Sequence, residues 1–125
     1  MAFHSTLTTL HANGVGDVPA RVEALAMLSG IERSAAHSLL ASALHAAVQL
    51  RRLGDGRRVV AEIAVLARGD EHPSDGEAAG GLVSAWPALS WSGESAPTIH
   101  PTGAGRLRGL LASRGIAPPA ELGGP

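Results

Sequence analysis

A histidine and an asparagine near the start of the chain are the side chains best placed to do chemistry. His11 and Asn13 close the segment TTLHANG (residues 8–14), in which an alternating, threonine-rich run stops at an Asn-Gly turn. A histidine at a strand end can reach a ligand and titrates near neutral pH, and an asparagine amide can contact phosphate. Both have structural alternatives. In these alternatives His11 hydrogen-bonds a neighbouring backbone carbonyl and so fixes the turn, and Asn13 is present because asparagine before glycine is common in turns.

Four arginines form a second candidate site for binding. Arg51, Arg52, Arg57 and Arg58 flank a Gly-Asp-Gly turn, so we expect them to cluster at the end of a β-hairpin. Guanidinium groups bind phosphate and carboxylate through paired hydrogen bonds, so this cluster suits phosphate or an acidic neighbour. The simpler interpretation is that these four side chains are only solvated at the rim of the hairpin. No aromatic residue lies nearby to stack on bases, which leaves a nucleic-acid binder as the weakest reading.

The sequence contains neither the residue spacing of a metal site nor the motifs of several enzyme classes. His4 and His11 are seven residues apart, which places them on opposite faces of a strand. The other histidines lack metal-ligand spacing and are predicted to lie at the surface or in turns: His37, His45, His72 and His100. All ten basic residues are arginine, so a Walker A lysine is missing; a G-x-S-x-G motif and a cysteine nucleophile are missing too.

The predicted elements that position these residues lie mainly in the first half of the chain. Residues 5–11 are predicted as a strand, followed by a helix that begins at Asp17 and ends at Gly30. A second helix is expected from residue 32 or 34 to about residue 44, and residues 46–66 carry a strong β-hairpin pattern.

The second half of the chain is predicted to hold less structure. Residues 68–101 are predicted as a flexible linker, with a short edge strand at 82–86 that Pro87 terminates. We expect a short helix over 102–116, capped by Thr102, and a disordered tail over 117–125. The fold class predicted is therefore α/β, with one partial domain over residues 1–67.

Composition agrees with a cytoplasmic protein. The chain has 125 residues, no cysteine and a formal net charge of −1, which does not favour nucleic acid or membrane surfaces as partners. The N-terminal residues lack the basic and apolar regions of a signal peptide, and no apolar run reaches the ~18 residues of a membrane span.

Three segments together resemble the C-terminal part of the type II/type IV secretion ATPases, closest to the tight-adherence pilus and conjugal-transfer branch. They are TTLHAN (8–13), DVPARVEAL (17–25) and VQLRRLGDGRRV (48–59). In that family a threonine-rich strand ends in a His box of the form T-x-H-A-N. A helix with an R-[LV]-E segment, a second helix and a hairpin with D-G-R-R at its turn follow. The match covers residues 5–67 in order and spacing.

The resemblance implies a partial RecA-like subdomain of a hexameric motor, peripheral at the inner face of the cell membrane. The family couples hydrolysis of ATP with Mg²⁺ to pilus assembly or secretion. Its Walker A, Asp box and Walker B residues lie upstream of the His box and have no counterpart here. Only His11 carries over as a catalytic residue, with Asn13 as its motif neighbour. Arg51, Arg52, Arg57 and Arg58 are separate candidates for contacting another subunit or facing phosphate. Phe3-His4 departs from the Gly-His pair common in the family.

Two hypotheses follow for the function. In the first, the chain is a fragment of a secretion or conjugal-transfer motor and is inactive without a complementing nucleotide-binding portion. In the second, it is a non-enzymatic module that docks onto a full-length secretion ATPase or a pilus platform protein. The partners expected are secretion ATPase subunits or platform proteins, and no cofactor is expected for the chain alone.

Overall fold

The described residues form a four-stranded antiparallel sheet and three α-helices. The computed structural model describes residues 7–69 and 81–123. The sheet has the order β1-β2-β3-β4. Its strands are β1 (Ala46–Arg52), β2 (Arg58–Arg68), β3 (Val83–Ser90) and β4 (Thr98–Ile99), and the helices are α1 (Val18–Leu28), α2 (Arg33–Ala43) and α3 (Pro101–Ser113). The mixed α/β class predicted from the sequence is confirmed.

The helix pair α1–α2 forms where the sequence pattern places it. Gly30 has φ +80°, the left-handed conformation that glycine adopts without strain. The amide of Ile31 donates to the carbonyl of Ala26 at 3.0 Å, and that of Gly30 donates to Met27 at 3.0 Å. These two bonds are a Schellman motif, which satisfies carbonyl groups at the end of α1 and turns the chain into α2.

The hairpin β1–β2 is also confirmed, and its turn is built by Asp55. The carboxylate of Asp55 accepts hydrogen bonds from the Arg57 backbone amide at 2.9 Å and from Arg57 Nε at 2.7 Å. These hydrogen bonds hold the pKa of Asp55 below its ordinary value. Gly56 supplies the positive φ of +89° that the turn needs.

Strand β3 corrects the prediction of a linker over 68–101. It is longer than the short edge strand predicted at 82–86, and it lies inside the sheet because it pairs with both β2 and β4. Pro87 does not end the strand. The register shifts where Ile63 pairs with Leu89 and Ala64 pairs with Pro87, so the proline sits at a β-bulge, where a missing amide hydrogen is tolerated. Residues 70–80 of that predicted linker lie outside the described residues.

Helix α3 begins earlier than predicted and packs closely on β3. Its N-cap is His100 and Pro101 occupies the first turn, so Thr102 is not the cap. The disordered tail predicted over 117–125 is wrong for its described part: Leu122 is buried, and its carbonyl accepts a hydrogen bond from Arg108 Nη1 at 2.6 Å. Arg106 lies over the Trp86 ring, 4.0 Å from its centroid.

The predicted strand over residues 5–11 is not formed by its described part. Residues 7–12 have no regular secondary structure, and residues 7–11 are exposed. A strand needs a neighbour to pair its backbone groups, and within the described residues the sheet provides no partner for this segment. The segment is anchored instead by Val15, which is 1% exposed in the 3₁₀ turn Val15–Asp17.

The core lies between the helix pair and one face of the sheet. Leu40 of α2, Leu66 of β2 and Val83 of β3 form its buried cluster, and side chains of α1, including Val18 and Val22, pack against it. Among the described ranges 7–69 and 81–123, no helix has both the length and the apolar character needed to cross a membrane.

Candidate functional site

The two leading candidates from the sequence, His11 and Asn13, both line one open groove. This groove has a volume of about 1200 Å³ and lies between residues 7–13, helix α1 and strand β1. Both side chains are exposed. The Asn13-Gly14 turn leads into the 3₁₀ turn, where the Asp17 amide donates to the Gly14 carbonyl at 3.2 Å. The groove wall therefore carries an imidazole and an amide side chain, both of which can form hydrogen bonds.

Most of the groove wall is apolar and exposed to solvent. Leu7 is 98% exposed and Leu50 is 60% exposed, although both are leucines and both line the groove. Further large apolar groove residues with exposed side chains are Leu10, Leu25 and Val48. A contiguous exposed apolar surface of this kind is uncommon on monomeric proteins and marks an interaction site.

Strand β1 adds an open sheet edge to the same groove. In the described part of the chain β1 pairs with β2 alone, so it is the first strand of the sheet. Residues 46–50 of this strand line the groove. An edge strand presents backbone amide and carbonyl groups that can pair with another strand. The groove therefore combines apolar side chains with backbone groups that can accept a further strand.

The four hairpin arginines do not form the predicted single cluster. Arg51 Nη2 donates to the backbone carbonyl of Ser92 at 2.7 Å, in the loop after β3. Arg52 and Arg58 are direct cross-strand partners, so their side chains share one face of the hairpin, and Arg51 points to the other face. Arg57 is held in the turn by the hydrogen bond that its Nε donates to the Asp55 carboxylate. Of the four arginines, only Arg52 and Arg58 lie directly opposite each other on the two strands.

His37 is the residue that sequence reasoning assigned wrongly. It was predicted at the surface or in a turn, but it is 3% exposed. Its Nε2 lies 2.8 Å from Glu23 Oε2 of α1, and its Nδ1 accepts the backbone amide of Val83 in β3 at 2.9 Å. The sequence did carry a signal, because His37 lies three residues before Leu40 and therefore on the same, buried helix face.

Among the described histidines, His45 and His100 do not line the groove with His11. His45 is exposed, and His100 Nε2 lies 2.9 Å from Ser90 Oγ beside β4. His4 and His72 lie outside the described residues. Across residues 7–69 and 81–123, no group of three or more histidine or acidic side chains is arranged to hold a metal ion.

The contacts of Glu23 lower its pKa. The hydrogen bond from His37 has the largest effect, burial opposes it, and the charge of Arg33, whose Nε is 3.1 Å from Glu23 Oε1, adds to the lowering. A carboxyl whose pKa is lowered by folding stabilises the protein above its unfolded pKa. That contribution is lost as the pH falls through the folded value.

We therefore expect Glu23→Gln to flatten the pH dependence of stability in acid. In the unchanged protein the free energy of unfolding should fall as the pH drops below the ordinary Glu23 pKa of 4.5. The variant lacks this titrating group and should lose less stability over the same range. Urea unfolding at a series of pH values measures the difference, with Glu94→Gln in an exposed loop as the control. Parallel curves for Glu23→Gln and the unchanged protein would contradict the assignment.

Comparison with known proteins gives a relationship for most of the chain. The chain is similar to two proteins of Mycobacterium tuberculosis, one from each of two strains, whose names assign them provisionally to conjugal transfer. Each is 40% identical over 92 residues, which cover 74% of this chain and 24% of the relative. No family model and no solved structure matches the chain. The chain is therefore a relative of proteins that are named for conjugal transfer.

Proposed function

We propose that the chain is the C-terminal part of a motor ATPase of the type II/type IV secretion group, in its conjugal-transfer branch. The observation that carries the proposal is the groove. Its wall holds His11 and Asn13 of the T-x-H-A-N motif, surrounded by exposed apolar side chains that a larger protein would cover. The matched relatives are longer, since the similarity spans only 24% of their length.

The groove residues suit one wall of a nucleotide site rather than a complete one. His11 and Asn13 offer hydrogen-bonding groups for phosphate oxygens, and Arg21 of α1 also lines the groove. The chain contains no lysine, and its described residues hold no acidic cluster for Mg²⁺. Holding ATP and Mg²⁺ would therefore be the task of a complementing portion. We propose that the groove docks onto that portion through β1 and α1, at the inner face of the cell membrane.

In this proposal His11 is the side chain that senses the nucleotide. Its position on an exposed wall leaves the imidazole available to a phosphate group brought by the complementing portion. ATP supplies the phosphoryl-transfer chemistry when it is bound there. An imidazole can donate a hydrogen bond to a phosphate oxygen, and its charge state responds to a nearby negative charge.

Docking is tested with two matched leucine variants. The partner is the rest of the Mycobacterium tuberculosis relative, produced as a separate chain without its matched region. Leu50→Asp places a charge in the groove and should weaken binding at least about tenfold, because a desolvated carboxylate is costly. Leu39→Asp is the control, since Leu39 on α2 is 57% exposed, close to the 60% of Leu50, but does not line the groove. Binding affinities from calorimetry give the comparison.

The outcome also separates the two functional hypotheses. Binding with ATP hydrolysis that appears only in the complex supports a motor fragment. Binding to the intact relative, without any new hydrolysis, supports a non-enzymatic docking module. Equal affinities for Leu50→Asp and the unchanged chain would remove the groove as the docking surface.

A further inference from the structure

A buried histidine connects three elements of the fold. His37 of α2 contacts Glu23 of α1 through Nε2 and the amide of Val83 at the start of β3 through Nδ1. Val83 is itself 3% exposed and belongs to the core cluster with Leu40 and Leu66. Val83 is the first residue of β3, so this hydrogen bond joins α2 to the start of the strand.

The hydrogen bonds require one protonation state of His37. The Val83 amide can only donate, so Nδ1 must be the unprotonated nitrogen that accepts it at 2.9 Å. The proton of the neutral imidazole is then on Nε2, which donates to the Glu23 carboxylate at 2.8 Å. Both ring nitrogens are satisfied in this single tautomer.

We propose that His37 is a proton-controlled latch: neutral His37 holds the start of β3 against α2, and protonation at Nδ1 releases it. A protonated imidazole has a donor on each nitrogen, so Nδ1–H and the Val83 N–H would face each other. The buried Val83 amide then loses its acceptor, which a core position cannot replace with water. The release is local to the first residues of β3.

Charged groups from the neighbouring elements surround the latch. Glu23 approaches from α1, and Arg33, the first residue of α2, pairs with the same carboxylate at 3.1 Å. From β2, Arg68 donates to the Gly81 carbonyl at 2.8 Å and to Ser38 Oγ at 3.2 Å, on either side of the latch. On β3 the latch faces the backbone amide of Val83.

The test follows the Val83 amide and the His37 ring across pH in the full chain. Nitrogen-15 NMR should find Nδ1 unprotonated and Nε2 protonated at about pH 8. The hydrogen-exchange protection factor of the Val83 amide, corrected for intrinsic exchange, should fall about tenfold by about pH 5. The fall should share its midpoint with the titration of the His37 ring.

Two glutamine variants provide the controls. His37→Gln keeps a neutral acceptor and donor but cannot titrate, so protection at Val83 should change less than about twofold over the same range. His45→Gln removes an exposed histidine and should behave like the unchanged chain. If His37→Gln does not fold, the shared midpoint in the unchanged chain decides alone. The latch would be overturned by a Val83 amide that stays protected from exchange while His37 is protonated. It would also be overturned if the pH midpoint of that protection differed from the midpoint of the His37 titration.

Discussion

Replacing Gly103 with alanine should destabilise the protein by about 3 kcal/mol, the upper end of the usual cost of overpacking. Gly103 is buried in α3, where the helix approaches the bulge of β3. A Cβ atom built there would overlap the Pro87 carbonyl group and would lie 2.8 Å from the Ala88 nitrogen. These are backbone atoms, so rotation of a side chain cannot relieve the overlap, and α3 would have to move off the sheet.

Gly109→Ala in the same helix is the matched control. Nothing lies within 4 Å of a Cβ built at Gly109, which is exposed. Alanine is favoured over glycine inside a helix by about 1 kcal/mol, so this variant should be more stable than the unchanged chain. Urea unfolding followed by circular dichroism measures both free energies. Similar stabilities for the two variants would mean that α3 does not pack on Pro87 as described.

The local elements could be predicted because their signals are carried by neighbouring residues. Gly30 ends α1 and Asp55-Gly56 turns the hairpin, and each acts within a few residues of its position. Strand β3 was harder to predict, since its tolerance of Pro87 depends on a register shift against β2, more than twenty residues away. Such a bulge leaves no periodic signal in the sequence.

The candidate site could be predicted only in part, for the same reason. The T-x-H-A-N segment marked His11 and Asn13, and they do lie on one groove. The strand predicted for that segment is absent from its described part, because a strand depends on a partner that the local sequence does not contain. The partners of His37 could not be predicted, because Glu23 and Val83 are 14 and 46 residues away in the sequence.

The second large effect concerns His11 in the complex proposed above. With the chain bound to the rest of the relative, His11→Ala should lower ATP turnover about 100-fold, the usual cost of removing one preorganised donor from a developing negative charge. The side chain is exposed on the groove wall, so its loss should leave folding of the chain unchanged. Affinity for the partner should stay within about twofold, since the apolar side chains supply the contact area.

His45→Ala controls for the loss of a histidine, because His45 is exposed and does not line the groove. His11→Gln separates two roles for the imidazole: an amide can still donate a hydrogen bond but cannot transfer a proton at neutral pH. Partial recovery of turnover in His11→Gln would indicate that His11 acts as a donor to phosphate, whereas turnover as low as in His11→Ala would indicate proton transfer. Turnover in His11→Ala equal to that of the unchanged complex would instead confine His11 to the structure of the turn, and the groove would then be a docking surface without a catalytic wall.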